Sequence, residues 1–181
     1  MTNIVEDIRI KIGSYLLKNR QAKLKRKVVV RNLKDIKKAG IIFEVLSGEN
    51  INLVKQFIKE LKTFGIETKA LGYVNDVRKN IDLIGDSTFS YVSKDDYSFF
   101  YDSKDEVVNT FIDMPFDLLI IYCENDHFPL RHIGTLSGAE LKVGEKGVCD
   151  NIMDIMIELP ENKGLPELQK QLIYYLTMIN K

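Results

Sequence analysis

The residues best suited to chemistry lie in one loop, CENDHFPLRH, at positions 123–132. It contains the side chains of Glu124, Asp126, His127, Arg131 and His132. Imidazole and carboxylate groups this close in sequence can exchange protons with a substrate or hold a metal ion. The competing interpretation is capping of the next helix, because acidic side chains accept hydrogen bonds from helix N-termini. The two histidines are five positions apart rather than four, so they do not stack on one helical face, which favours capping.

A second loop, SGEN at positions 47–50, offers Ser47, Gly48 and Asn50 as candidate ligand-binding residues. A helix N-terminus binds phosphate through its free N–H groups, but Ser and Asn at this position are also ordinary helix caps. The sequence contains neither G-x-G-x-x-G nor G-x-x-x-x-G-K-[ST], which favours the cap. We therefore assign no catalytic residue, metal site or cofactor, and we predict that Cys123 is a small core residue.

The elements around these loops follow a strand–helix–strand pattern. AGIIFEVL (39–46) and FDLLIIYC (116–123) are apolar runs typical of strands that are buried on both faces. INLVKQFIKELKTFG (51–65) has the apolar spacing of a helix, and IETKALGYV (66–74) is typical of a second strand. Parallel strands joined in this way have their carboxyl ends at one edge of the sheet, so both loops are expected at that edge.

The rest of the chain extends the same pattern. We predict strands in YSFFY (97–101), ELKVG (140–144) and IMDIMIEL (152–159), the last of them buried. Helices are predicted for KDEVVNTFIDM (104–114), PLRHIGTLSGA (129–139) and LPELQKQLIYYLTMINK (165–181). The predicted fold is a three-layer α/β Rossmann-like sandwich with a mostly parallel sheet, formed by a single domain over residues 39–181.

Charge is distributed unevenly along the chain although its formal net charge is zero. Residues 18–38, here called the basic segment, contain ten cations and one acid, a net charge of +9. The preceding residues 1–17 balance, so residues 39–181 carry −9. The cations are Lys18, Arg20, Lys23, Lys25, Arg26, Lys27, Arg31, Lys34, Lys37 and Lys38. Residues 1–38 are predicted to form a helical basic arm that precedes an acidic domain.

Several partners fit this arm. A nucleic-acid backbone, above all structured RNA, would be bound by Lys23, Lys25, Arg26, Lys27 and Arg31. Because residues 18–42 contain no aromatic side chain, stacking on single-stranded bases is not expected. The alternatives are a solvated face that packs on the acidic domain, an acidic protein partner and an anionic membrane surface. Packing on the protein's own domain is the interpretation that composition alone favours.

The start of the chain carries a further pattern. Apolar residues occupy positions 4, 8, 12, 15 and 16, a helical spacing that predicts a homodimer formed through this helix. The first residues lack the positive charge of a signal peptide, and no apolar run reaches the length of a transmembrane segment. Two cysteines without a C-x-x-C motif fit a reducing compartment, so we expect a cytoplasmic protein.

Two resemblances to known families add to these predictions. The strand Phe116–Ile120, the helix after it and the small-residue step with Ser137, Gly138, Ala139, Val143 and Gly144 resemble part of the N-terminal Rossmann-like domain of heptosyltransferase-type GT-B glycosyltransferases. That resemblance covers about thirty residues and implies the fold. Those enzymes need a second domain for the nucleotide-sugar donor, which would begin where this chain ends, so the resemblance argues against transferase activity.

The order of features over most of the chain resembles a small family of uncharacterised bacterial proteins, a domain of unknown function. The residues that carry this resemblance are the basic helix, the first strand with Gly40, Ile41, Ile42 and Phe43, the FDLLI strand, the step with Ser137, Ala139, Lys142, Val143 and Gly144, and the MDIMI strand near Asp154. It implies no activity and therefore no catalytic residues.

We therefore predict a non-catalytic binding or accessory protein that engages RNA or an acidic partner through its basic arm. The alternative is an enzyme that binds a nucleotide- or sugar-phosphate, or a degenerate glycosyltransferase-like domain. A deep pocket at the carboxyl ends of the strands, with His127 or His132 facing into it, would favour the enzyme. A filled pocket and a continuous positive face would favour the binding protein.

Overall fold

The computed structural model describes residues 4–75, 83–98, 103, 105–160 and 163–179. Within them the strands are β1 (Lys38–Glu44), β2 (Glu67–Val74), β3 (Phe89–Ser93), β4 (Leu118–Tyr122), β5 (Leu141–Glu145) and β6 (Ile155–Ile157). The helices are α1 (Ile4–Gln21), α2 (Gly48–Thr63), α3 (Glu106–Asp113), α4 (Phe128–Leu136) and α5 (Gly164–Met178).

The six strands form one sheet in the order β3-β2-β1-β4-β5-β6, and every neighbouring pair is parallel. This is the strand order of the Rossmann fold, and the predicted α/β class is confirmed. The chain builds outward from β1 to β3, then returns to the other side of β1 with β4. The direction of winding therefore changes between β1 and β4, and their carboxyl ends flank the position where such sheets bind ligands.

The sheet has an apolar core on each face, which makes three layers. One core joins the sheet to α2 and α5, and it includes Phe57, Leu61, Leu168 and Leu172. The other joins it to α3 and α4, and Leu17 of α1 contributes to it. Strands β1 and β4 are buried along nearly their whole length, as continuous apolar runs predict for central strands.

Two strands differ from the prediction. The third strand of the sheet is β3, which was not predicted. Most of the predicted YSFFY strand, residues 99–101, lies outside the described part of the chain, and its first residue, Tyr97, forms an isolated bridge with Ser103. Strand β6 contains only three residues and lies at the sheet edge, where Met156 is 47% exposed. The prediction of a buried strand over residues 152–159 is therefore wrong in both length and burial.

The basic arm is helical only in its first part. Helix α1 ends at Gln21, and residues 25–32 contain no helix, so the prediction of a helical arm over residues 1–38 is wrong for that part. Val28, Val29 and Val30 are three consecutive β-branched residues, which disfavour helix. This part crosses the sheet edge formed by the amino ends of the strands, where the Val29 N–H donates to the Glu140 carbonyl at 3.2 Å. Among the described residues, none of the helices has both the length and the hydropathy of a membrane span.

Candidate functional site

The crevice between the carboxyl ends of β1 and β4 is organised around Glu44, the last residue of β1. Its Oε2 accepts hydrogen bonds from the backbone N–H groups of Glu124 and Asn125 at 3.2 and 3.1 Å. The Asn125 Nδ2 donates to Glu44 Oε1 at 3.2 Å, and His127 Nε2 lies 2.6 Å from the same oxygen. The loop after β4 thus wraps around one carboxylate, which sequence analysis did not identify. Its signal was an acid within an otherwise apolar strand.

This arrangement is an anion-binding site in which the bound anion is the protein's own Glu44 carboxylate. The Glu44 residue is 4% exposed, and its oxygens use donors of the kind that bind a phosphate or carboxylate ligand in Rossmann-like sheets. The His127 ring completes the closure, since it packs against the ring of Tyr73 with centroids 5.0 Å apart. A histidine–carboxylate pair can move a proton, and here the carboxylate is buried while the His127 side chain is 18% exposed.

The other predicted residues of the loop after β4 do not join this cluster. Asp126 pairs with Arg131 at 3.3 Å on the surface, and the Arg131 guanidinium lies over the Phe128 ring, 5.3 Å from its centroid. His132 is 3% exposed and packs edge-on against Tyr97. The two histidines therefore face different environments. The capping prediction for this loop is wrong, because the N-cap of α4 is His127 and makes no side-chain capping bond.

The SGEN loop behaves as the capping interpretation predicts. The Ser47 Oγ accepts a hydrogen bond from the Asn50 N–H at 3.1 Å, which caps α2. Asn50 itself is buried, and open space surrounds the position of a Cβ at Gly48. Among the described residues, no group of three or more His, Cys, Asp and Glu side chains could hold a metal ion.

A pair of thiols lies beside the crevice. The Sγ atoms of Cys123 and Cys149 are 3.6 Å apart, and both residues are buried and free. The contact with Cys149, together with burial, raises the pKa of Cys123 above its ordinary value, which keeps the thiol protonated. A protonated thiol is a poor nucleophile, and Cys123 is a buried small residue as predicted.

Arg26 attaches the basic segment to the amino ends of the last two strands. Its Nε donates to the Ala139 carbonyl at 2.5 Å, and its Nη1 donates to Asp154 Oδ1 at 3.1 Å. A second bond joins Nη2 to Asp154, so the guanidinium binds this carboxylate in a bidentate manner. The side chains of both partners are less than one fifth exposed. Arg26 is thus engaged within its own protein.

A second arginine continues this attachment toward the middle of the sheet. Arg31 Nε donates to Glu140 Oε2 at 2.7 Å, and its guanidinium also lies 3.7 Å from Asp117 Oδ1. Asp117 in turn accepts hydrogen bonds from the backbone N–H groups of Lys37 and Lys38, at 2.7 and 2.9 Å. Acids at the amino ends of the strands therefore position the segment from Arg26 to Lys38.

The lysines of the basic segment are placed differently. The side chains of Lys23, Lys25 and Lys27 are exposed, and none of them forms an ion pair with the part of the chain that the structure describes. The further lysines, Lys34, Lys37 and Lys38, are exposed as well. The five predicted nucleic-acid contacts thus divide into two anchoring arginines and three exposed lysines.

One buried lysine lies beneath this attachment. Lys142 is 3% exposed, and its Nζ donates to the carbonyls of Gly134 and Thr135 at 2.6 and 3.3 Å. These carbonyls belong to the last turn of α4. A cation there supplies hydrogen bonds to carbonyls that have no partner within the helix, and it interacts favourably with the helix dipole. Burial, with a smaller contribution from Arg26, lowers the pKa of Lys142 to about 8.

The profile of one protein family matches residues 9–179, which is nearly the whole chain. The chain belongs to DUF6913, a family of unknown function. This confirms the predicted membership of an uncharacterised domain family. No curated protein and no solved structure matches the DUF6913 chain. The resemblance to the heptosyltransferase-type domain and the bacterial origin stay predictions.

Proposed function

We propose that this DUF6913 chain is a non-catalytic accessory protein that binds the backbone of structured RNA through the lysines of its basic segment. The observation that supports this most is the division between anchored arginines and exposed lysines. Arg26 and Arg31 hold the segment against three acids, so the charges of these two arginines are neutralised within the protein. The acids are Asp154, Glu140 and Asp117. The ammonium groups of Lys23, Lys25 and Lys27 are exposed at the surface.

The chemistry of lysine suits this target. An ε-ammonium is a mobile point charge that contacts phosphate without a fixed geometry, whereas a guanidinium is suited to fixed, bidentate pairing. Each lysine that neutralises a phosphate releases counterions, so affinity falls with salt by a slope of about −0.9 per contact on duplex DNA. No aromatic side chain lies in residues 18–38, which favours a paired backbone over stacked single-stranded bases.

The crevice argues against the enzyme alternative. The enzyme alternative requires a nucleotide-phosphate, a sugar-phosphate or a nucleotide-sugar to bind here. Such a ligand would need the hydrogen-bonding groups that Glu124, Asn125 and His127 direct at Glu44. Such a ligand would also have to displace a carboxylate that is 4% exposed. Among the described residues, Glu44 thus takes up the hydrogen-bond donors of this crevice, which supports a binding role located elsewhere on the surface.

Fluorescence anisotropy with a labelled RNA duplex of about 20 base pairs, at salt between about 50 and about 200 mM, tests the proposal. Wild-type binding should fall steeply with salt. The triple variant Lys23→Glu/Lys25→Glu/Lys27→Glu, which keeps Arg26, should bind at least about tenfold more weakly.

A matched control makes the same change in net charge elsewhere. Lys59, Lys62 and Lys170 are exposed residues on α2 and α5, and reversing all three should leave affinity within about threefold of wild type. Equal losses in both triple variants would refute a role for the basic segment. Salt-sensitive binding to polyglutamate but not to the duplex would instead identify an acidic protein partner and refute the RNA target.

A further inference from the structure

We infer that α1 forms an antiparallel dimer with α1 of a second copy of this chain. The helix has two apolar faces. Leu17 is 7% exposed and, with the partly buried Ile10, packs into the core next to α4. The second face stays open, and its side chains are 38 to 75% exposed. These are Ile4, Ile8, Ile12, Tyr15 and Leu16.

The open face has the shape of a helix-pairing surface. Its members recur at spacings of four, four, three and one, so they form one stripe along the helix. With 18 residues, α1 is roughly 27 Å long, and the stripe spans most of it. Five partly exposed side chains of this size present roughly 500 Å² per protomer, so two copies approach the roughly 1,000 Å² expected of a specific interface.

The charges at the two ends of α1 are complementary to those of a second, antiparallel copy. Glu6 and Asp7 lie in the first turn, whereas Lys18 and Arg20 lie in the last. Asp7 and Lys18 are eleven residues apart and therefore share one flank of the stripe. A two-fold axis through Ile12 brings Asp7 to within one residue, about 1.5 Å of helix rise, of the partner's Lys18, and vice versa. A parallel arrangement would instead bring the two acidic turns together.

The same axis pairs the apolar residues. Ile12 meets the partner's Ile12 at the centre, and Ile8 meets the partner's Leu16 on each side of it. The contact is isologous, as a closed dimer requires. An anionic membrane surface is the rival occupant of an apolar stripe, but the acidic first turn of α1 would oppose binding along the full length of the helix.

Sedimentation velocity at protein concentrations of roughly 1 to 100 μM tests the dimer, because an interface of this size is expected to be of moderate affinity. Wild-type protein should shift from monomer to dimer across this range. Ile12→Glu places two charges at the two-fold axis and should leave a folded monomer. At about 1 μM, where wild type is also monomeric, the two proteins should have the same melting temperature. The control Ile84→Glu alters an isoleucine that is 81% exposed outside α1 and should still dimerise.

Charge exchange tests the direction of pairing. Asp7→Lys should weaken the dimer about tenfold, and Asp7→Lys/Lys18→Glu should restore it, which only the antiparallel arrangement predicts. A wild-type protein that stays monomeric, or an Ile12→Glu variant that dimerises normally, overturns the inference. So does a monomer that binds anionic vesicles through the stripe. Since Ile12→Glu leaves the lysines of the basic segment intact, the outcome is independent of RNA binding.

Discussion

Lys142→Met is expected to change the way in which the stability of the protein depends on pH. Lys142 is buried against the last turn of α4, and its pKa is lowered from 10.5 to about 8 by burial and by Arg26, while Asp154 opposes the shift. The folded protein therefore releases this proton at a lower pH than the unfolded chain. Methionine has a similar volume and does not titrate, so the variant isolates the contribution of the ammonium group.

The sign follows from proton binding. Below about pH 8 both states hold the proton, and the folded state carries the cost of a buried charge. Between about pH 8 and 10.5 only the unfolded chain keeps the proton, so the free energy of unfolding rises with pH. The difference between the ordinary pKa of 10.5 and the pKa of about 8 in the folded protein corresponds to about 3 kcal/mol of free energy of unfolding. This value is not reduced for solvent screening, because Lys142 is 3% exposed.

Urea unfolding of wild type and variant at several pH values between about 7.5 and about 10.5 measures this contribution. The difference in free energy of unfolding, wild type minus variant, should grow by about 3 kcal/mol across the range, since tyrosines and cysteines titrate in both proteins. Lys146→Met, at a side chain that is 53% exposed, should show no such trend. A difference that stays constant or falls with pH would refute the burial of a titrating ammonium.

Two further predictions concern the crevice and the sheet. Glu44→Gln turns an amide N–H₂ toward the donors that now bind a carboxylate, and denaturant unfolding should show a loss of roughly 2 to 4 kcal/mol. A loss no larger than that of the exposed control Glu49→Gln would contradict this. Gly144→Ala would place a Cβ 2.5 Å from the Ile121 carbonyl oxygen and should cost roughly 1 to 3 kcal/mol. Gly138→Ala has open space and should melt near wild type, so equal melting temperatures would refute the clash.

The central sheet could be predicted because the sequence of each central strand is by itself typical of a buried strand. The runs that became β1 and β4 are apolar apart from Glu44 and Asp117. The helix between β1 and β2 has a regular apolar stripe, a serine cap and a terminal Gly65 with φ of +77°. Strand β3 lacked such a signal. FSYVS alternates apolar with polar residues and lies at a sheet edge, so the aromatic run after it gave the stronger strand signal in the sequence.

The candidate site was harder to predict because its partners are distant in sequence. Glu44 and His127 are separated by 83 residues and meet only because β4 returns beside β1. Sequence analysis identified the loop with His127 but grouped it with Asp126 and His132, whose environments differ. Arg26 was likewise grouped with its neighbouring lysines, since nothing local distinguishes a cation that finds a distant carboxylate from one that stays exposed.

The attachment of the basic segment also has a consequence for the order of folding. Arg26 binds Asp154 across 128 residues, and Arg31 binds Glu140 across 109, so both contacts close very long loops. During synthesis the segment emerges well before Asp154, which lies just before β6. Until then all ten cations are unpaired with these acids, and the nascent chain exposes more positive charge than the finished protein. We expect docking of the segment to be a late event, made on a sheet whose central strands are already paired.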